Sequence, residues 1–165
     1  MTGGFTPGGT TDLESYVASL PPAPQPAGAY VPVVLAGGLA FTAGHTHAVQ
    51  GRLEHAGHVG AAGCPDLETA RECARGAVRN CLSSLAARLR GLAAVDRVVQ
   101  MTGYVAAPAD FTEHPKVLDG ASAELLAAFG ERGRPARAAV GVGSLPDGAT
   151  VEISLVVALK PRPDA

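Results

Sequence analysis

Two charged residues stand in apolar segments near the end of this 165-residue chain. Arg137 opens a run of small apolar residues, and Glu152 lies between Val151 and Ile153. A charged side chain in a strand buried on both faces costs free energy unless it is paired or used. The two residues could form a structural ion pair at a sheet edge. Alternatively, Arg137 could present its guanidinium group to a ligand carboxylate at the open end of the sheet.

Histidines form the next candidate group. His45 and His47 could bind a metal from one strand edge, and His55 and His58 follow in a glycine-rich segment. A zinc site needs three or four ligands at defined geometry, so we expect solvated loop histidines and no metal site. The sequence also contains neither a phosphate-binding loop motif nor a GxSxG nucleophile motif.

The cysteines give no support for nucleophilic catalysis. Cys64, Cys73 and Cys81 are an odd number without a CxxC pair, which argues against a disulfide framework and a cysteine-rich zinc site. Cys64 precedes a proline and has no basic neighbour that would activate its thiol. Cys73 and Cys81 are eight residues apart, so a helix would place them on roughly one face as small buried thiols.

Composition limits the classes of function. Hydrophobic residues make up 47% of the chain and charged residues 17%, which is typical of a globular protein. A net charge of −2 gives no electrostatic reason to expect nucleic acid or an anionic membrane as partner. No apolar run approaches the roughly 20 residues that cross a bilayer. We expect a disordered tail over residues 1–11, one domain over residues 12–162 and a cytoplasmic location.

The pattern of apolar residues predicts the elements that must position these side chains. Apolar residues at spacings of three and four predict a helix from about Leu67 to Leu89, capped by Asp66 and ended near Gly91. A second long helix is predicted over residues 112–130. Short apolar runs predict five strands, over residues 30–36, 39–43, 95–107, 137–144 and 151–159.

The remaining segments are short. Thr11 and Asp12 would cap a brief helix, and four prolines within residues 20–26 indicate an extended arm lying on a surface. Residues 45–65 are predicted to be a loop.

The element order β-β-α-β-α-β-β indicates an α+β protein. Two helices can cover only one face of the sheet. The last two strands are nevertheless apolar at successive positions, so both of their faces favour burial. We therefore expect a closed homo-oligomer in which the sheets face inward.

Several motifs between about Leu20 and Leu159 resemble those of the Rid (YjgF-like) superfamily of reactive-intermediate deaminases. They are Gly44, residues 105–111, Gly120-Ala121-Ser122 and, above all, the spacing of Arg137, Leu145-Pro146 and Glu152. The resemblance implies a chorismate-mutase-like fold, with a mixed sheet and two helices on one face. It also implies a homotrimer with three sites in the clefts between subunits.

The resemblance further implies a reaction that needs neither cofactor nor metal. Enamines or imines derived from amino acids are hydrolysed to 2-keto acids and ammonia. In that reading Arg137 binds the substrate carboxylate, Glu152 positions or polarises water, and Tyr30 supplies a hydroxyl near the reacting centre. Backbone groups around Gly44 would complete the pocket.

Asp119 and Ser122 are further candidates for substrate binding, and Asp119 departs from the pattern because relatives usually have Asn there. If Asp119 lines the site, its charge opposes an anionic substrate. If it caps a helix turn, its role is structural. Pro135 and His47 also depart, since His and Pro respectively are common at these positions.

Other functions compatible with this fold are a pathway-specific enzyme acting on another small metabolite and a non-catalytic metabolite-binding protein. Ribonuclease activity, also linked with the family, is least supported because the net charge is negative and aromatic residues are few.

Overall fold

A computed structural model describes residues 12–161 and shows an α+β fold. The predicted tail, residues 1–11, and residue 162 lie outside the described residues. Three α-helices, six strands and two short 3₁₀ turns make up the described part. The elements are α1 (Leu13–Ala18), β1 (Val33–Ala36), β2 (Leu39–Thr42), β3 (His45–Thr46), α2 (Leu67–Leu89), β4 (Val95–Ala106), α3 (His114–Phe129), a turn at Gly130–Gly133, β5 (Ala136–Val142), a turn at Pro146–Gly148 and β6 (Val151–Leu159).

The strands form one mixed sheet in the order β1-β2-β6-β4-β5, with β3 paired to β6. Strands β4 and β5 run parallel, whereas the other neighbouring strands are antiparallel. Strand β5 is therefore an edge strand. The chain leaves it through the turn at Pro146–Gly148 and passes β4 before it enters β6.

Helices α2 and α3 pack on one face of this sheet, as predicted. The side chains between the layers are mostly Ala, Val and Leu; the largest fully buried ones include Leu82, Leu85, Leu118, Met101 and Leu155. Elsewhere on the sheet, four apolar side chains remain 39–51% exposed within the single chain: Val34, Phe41, Val99 and Val140. The oligomer that would cover them stays a prediction.

The boundaries of the long helix are confirmed. The Asp66 carboxylate accepts a hydrogen bond from the Thr69 N–H at 2.8 Å, which satisfies one free donor of the first turn. The helix ends at Arg90, which adopts the left-handed conformation, and Gly91 follows with a positive φ of 115°. Cys73 and Cys81 are buried on its inner side with free thiols, also as predicted.

Two sequence-based predictions of local structure were wrong. The first strand begins at Val33 instead of Tyr30, because residues 27–30 form a bend and Pro32 has no N–H to donate to a ladder. The predicted loop over residues 45–65 contains strand β3, which pairs with β6 through His45 opposite Ile153.

The proline-rich arm follows the surface of α2, in agreement with the prediction. The Ser83 hydroxyl donates to the Pro21 carbonyl at 2.8 Å, and the Arg79 guanidinium contacts the carbonyl of Ser19. Ahead of the arm, buried Tyr16 donates to Glu124 of α3 at 2.8 Å, which docks α1 onto the helix layer. No helix within residues 12–161 is long and apolar enough to cross a membrane.

Gly120 sets how closely α3 approaches α2. A Cβ at this position would overlap the backbone carbonyl of Arg71 on the facing helix. Backbone cannot yield as a flexible side chain can, so the two helices would have to separate.

Gly120→Ala is therefore expected to destabilise the fold by about 1–3 kcal/mol through overpacking, although alanine favours a helix. Thermal unfolding followed by circular dichroism measures the change. Gly143→Ala is the matched control, since a Cβ there meets no atom within 4 Å. Equal melting temperatures for the two variants would contradict the close approach.

Candidate functional site

A cavity of about 220 Å³ lies between the proline-rich arm and the strands β3 and β6. Three predicted site residues line it: Tyr30, Gly44 and Glu152. Pockets for drug-sized ligands are usually about 300–1,000 Å³, so this cavity suits a metabolite of amino-acid size.

Glu152 is the chemically distinctive group in the cavity. Its carboxylate rests against Gly44, where a Cβ would overlap it and force the Glu152 side chain to move. No donor within residues 12–161 forms a hydrogen bond to this carboxylate. Desolvation by burial raises the pKa of Glu152 above its ordinary value. A carboxylate with a raised pKa and free lone pairs can accept a proton from water.

His45, the histidine at the cavity, is buried, which corrects the expectation of a solvated loop residue at this position, whereas His55 is exposed as expected. His45 is 7% exposed; its Nδ1 donates to the Ala43 carbonyl at 2.9 Å, and its Nε2 accepts from the Ser84 hydroxyl at 2.8 Å. Burial lowers the pKa of His45, so the ring is neutral at physiological pH. His47 is also buried, and its Nε2 donates to the His55 carbonyl at 2.8 Å.

Asn80 of helix α2 is a cavity residue that sequence reasoning missed. Its amide nitrogen donates to the carbonyls of Thr46 and Ala48, both at 2.8 Å, and so holds the β3 side of the cavity. The available signal was a polar residue on the apolar face of a predicted helix. Buried polar groups of this kind are nearly always hydrogen-bonded.

Asp147 is the second missed residue. It occupies the turn before β6 with a positive φ of 56°, a conformation that Asp and Asn tolerate better than most residues. Together with Glu152 it lines the cavity, so the lining carries two carboxylates. The part of the chain that the structure describes contributes no Lys or Arg to this lining.

Arg137 belongs to a separate cluster. Its Nη1 donates to the Asp119 carboxylate at 2.8 Å and to the Ser122 hydroxyl at 2.9 Å. Asp119 lies inside helix α3 and accepts from Arg137, so the interpretation of Asp119 as a helix cap is wrong. An ion pair between Arg137 and Glu152 is also not formed within the described chain; Arg137 pairs with Asp119.

Strand register explains why the Arg137 cluster lies apart from Glu152 and the cavity. Arg137 is aligned with buried Met101 on β4, which faces the helices, whereas Glu152 is aligned with Tyr104, three residues further along. Because side chains alternate along a strand, Arg137 and Glu152 project from opposite faces of the sheet. They also stand on β5 and β6, with β4 between them.

Replacing Glu152 should reveal the cost of its desolvation. A folded-state pKa above the ordinary 4.5 means that ionisation costs folding free energy at pH values above both, while the cost is absent below 4.5. Glu152→Gln should therefore raise the melting temperature at about pH 8, and the gain should vanish at about pH 4.

The control for this experiment is Glu131→Gln, since the Glu131 side chain is 81% exposed and its one ion pair within residues 12–161 is with Arg134. A gain for Glu152→Gln that is independent of pH would exclude desolvation as its cause.

Comparison with known proteins agrees with this architecture. Protein TCP17 of Trypanosoma cruzi is 36% identical over 151 residues, which are 90% of this chain and 92% of that protein. The Agrobacterium tumefaciens protein Atu1372, of unknown function, is 34% identical with a TM-score of 0.75 over 79% of this chain and 82% of its own. A candidate endoribonuclease from Shewanella oneidensis MR-1 is 27% identical, with a TM-score of 0.83 over 90% of this chain and 100% of its own.

The family profile described as Endoribonuclease L-PSP matches residues 21–159, from the proline-rich arm to the end of β6. That range includes the cavity residues, the Arg137 cluster and the motifs that resemble the Rid proteins. The chain therefore belongs to the Endoribonuclease L-PSP family, which is the family of the YjgF/Rid proteins.

Proposed function

We propose that the protein hydrolyses small carboxylate-bearing enamines or imines to 2-keto acids and ammonia. In this proposal, the cavity of one copy and Arg137 of a neighbouring copy form each site. The supporting observation is that one chain holds an unpartnered Glu152 in an amino-acid-sized cavity but keeps its arginine cluster on the opposite face of the sheet. A second copy of the chain could supply the missing cation.

Arg137 is arranged to bind a carboxylate. Asp119 and Ser122 hold its Nη1 and so orient the guanidinium group, whereas Nε and Nη2 make no hydrogen bond within residues 12–161. These two nitrogens form the donor pair that matches the two oxygens of a carboxylate. Fixing the substrate in this way lowers the entropic cost of the reaction.

Glu152 provides the acid–base function. The imine reacts as its N-protonated form: Glu152 accepts a proton from water while the water oxygen bonds to the carbon and the C=N π electrons move to nitrogen, which gives the carbinolamine. Glu152 then passes its proton to the amine nitrogen. As the C–N bond breaks, the hydroxyl oxygen forms the carbonyl, its proton returns to Glu152, and the released ammonia carries that proton away as ammonium. Tyr30 lines the same cavity, and its hydroxyl can form hydrogen bonds to the oxygen of the attacking water and to the nitrogen of the substrate. Free imines also hydrolyse in water, so the required lowering of the barrier is modest.

The assembly we propose is a trimer, in which the exposed apolar residues of the sheet pack against other copies. Val34 and Phe41 are opposite each other on β1 and β2, and Val140 lies on the edge strand. Exposed apolar side chains on an open sheet favour such burial.

Two alternative functions would use the same site. A metabolite-binding protein would use the same cavity without turnover, and a pathway-specific enzyme would apply the same groups to a different small molecule. Endoribonuclease activity at this cavity is disfavoured, since Glu152 and Asp147 would repel phosphate groups.

Arg137→Ala should lower kcat/KM for imine hydrolysis about 10- to 100-fold, the loss expected for hydrogen bonds to a charged group. The imine is generated in situ by an amino-acid oxidase, and release of the 2-keto acid is followed against a reaction without the protein. Equal rates for wild type and variant would refute the deaminase proposal. Binding of the 2-keto acid without turnover would favour the metabolite-binding alternative.

A shared site can be tested by mixing two impaired variants. Arg137→Ala and Glu152→Gln chains, unfolded and refolded together in equal amounts, should recover about one quarter of the wild-type sites by random assembly. The variants refolded separately should keep only their low residual activity. Absence of recovery, with mixed oligomers verified by mass, would place each site within a single chain.

A further inference from the structure

The charged side chains that line the cavity are all negative. Asp147 and Glu152 both line it, and the remaining titratable side chains of the lining are Tyr30 and His45. His45 is neutral, because burial lowers the pKa of its ring. The described residues of the lining therefore bring two negative charges and no positive charge.

The cluster that would complete the site adds little positive charge. Asp119 lies 2.8 Å from Nη1 of Arg137, so this guanidinium group is already paired within its own chain. In the proposed assembly, the three carboxylates of Asp119, Asp147 and Glu152 would accompany the one guanidinium group of Arg137. A substrate whose only charge is a carboxylate would add a further negative charge to this set.

We infer that the site selects imino acids whose side chain ends in a cationic group, a guanidinium or an ammonium, and that Asp147 is the residue that determines this specificity. The inference rests on the proposed function in one respect, namely that Arg137 of a neighbouring copy binds the substrate carboxylate. It adds the chemical class of the substrate's side chain, which family membership does not specify.

The division of roles follows from the cavity. Glu152 is reserved for the reacting centre, whereas Asp147 lies in the turn before β6 and can pair with the far end of the substrate. The arm residues Pro24 and Pro26, which also line the cavity, offer an apolar wall to the methylene groups of a long basic side chain. A neutral side chain of the same length would leave Asp147 without a partner.

The 2-keto acids derived from arginine and citrulline are matched probes, because they differ by a guanidinium group in place of a urea group. Calorimetric titration of the full-length protein at low salt should show about fivefold tighter binding of the arginine-derived acid, as for a partly exposed ion pair. Asp147→Asn should bring this ratio close to one. Asparagine tolerates the positive φ of residue 147, so the variant should keep the fold.

Asp96→Asn is the control, since it removes the same charge from an exposed position near the start of β4, outside the cavity lining. Its binding ratio should equal that of wild type. Equal binding of the two acids by wild type, binding of neither, or an unchanged ratio in Asp147→Asn would each overturn the inference.

Turnover is measured separately with the imines of the same two amino acids. Tighter binding of the arginine-derived acid without acceleration of either imine would refute the deaminase proposal and keep the selectivity for a cationic side chain. Acceleration of both imines with equal binding of the two acids would keep the deaminase and refute the selectivity.

Discussion

The cavity depends on a short set of polar side chains that helix α2 carries among its apolar ones. Asn80 binds the carbonyls of Thr46 and Ala48 at and after β3, Ser83 binds the proline-rich arm, and Ser84 binds the His45 ring. Because α2 is anchored on the sheet by its alanines and leucines, these hydrogen bonds tie two irregular segments to the rigid core. Both walls of the cavity are thereby fixed by one helix, as a preorganised site requires.

The second constraint is the alternation of side chains along the strands. It places Glu152 at the cavity and Arg137 on the helix side of the edge strand, where Asp119 compensates its charge. Neither charge is left buried without a use or a partner: Glu152 is half-buried in a cavity, and Arg137 is paired. The single chain therefore carries both chemical groups of the proposed reaction without bringing them together, which gives the proposed oligomer a functional as well as a structural reason.

Membership of the Endoribonuclease L-PSP family is compatible with more than one chemistry, so the function depends on the residues of the site. An acidic cavity of amino-acid size, with a desolvated glutamate and no resident cation among the described residues, fits a small nitrogen-containing substrate better than a polyanion. The same acidity is the feature that Asp147 would turn into selectivity.

The sequence by itself determined the helices, the main strands and the family, because these depend on local periodicity and on motifs with fixed spacing. Asp66 predicted the start of α2, and the isolated charges of Arg137 and Glu152 identified them as unusual before any contact was known. Only the tertiary structure decided which groups meet. The turn between β5 and β6 moves the chain past β4, which separates Arg137 from Glu152 within the sheet, and the register of both strands on β4 places the two side chains on opposite faces. Likewise, the burial of His45 depends on a two-residue strand, which is too short to leave a periodic pattern.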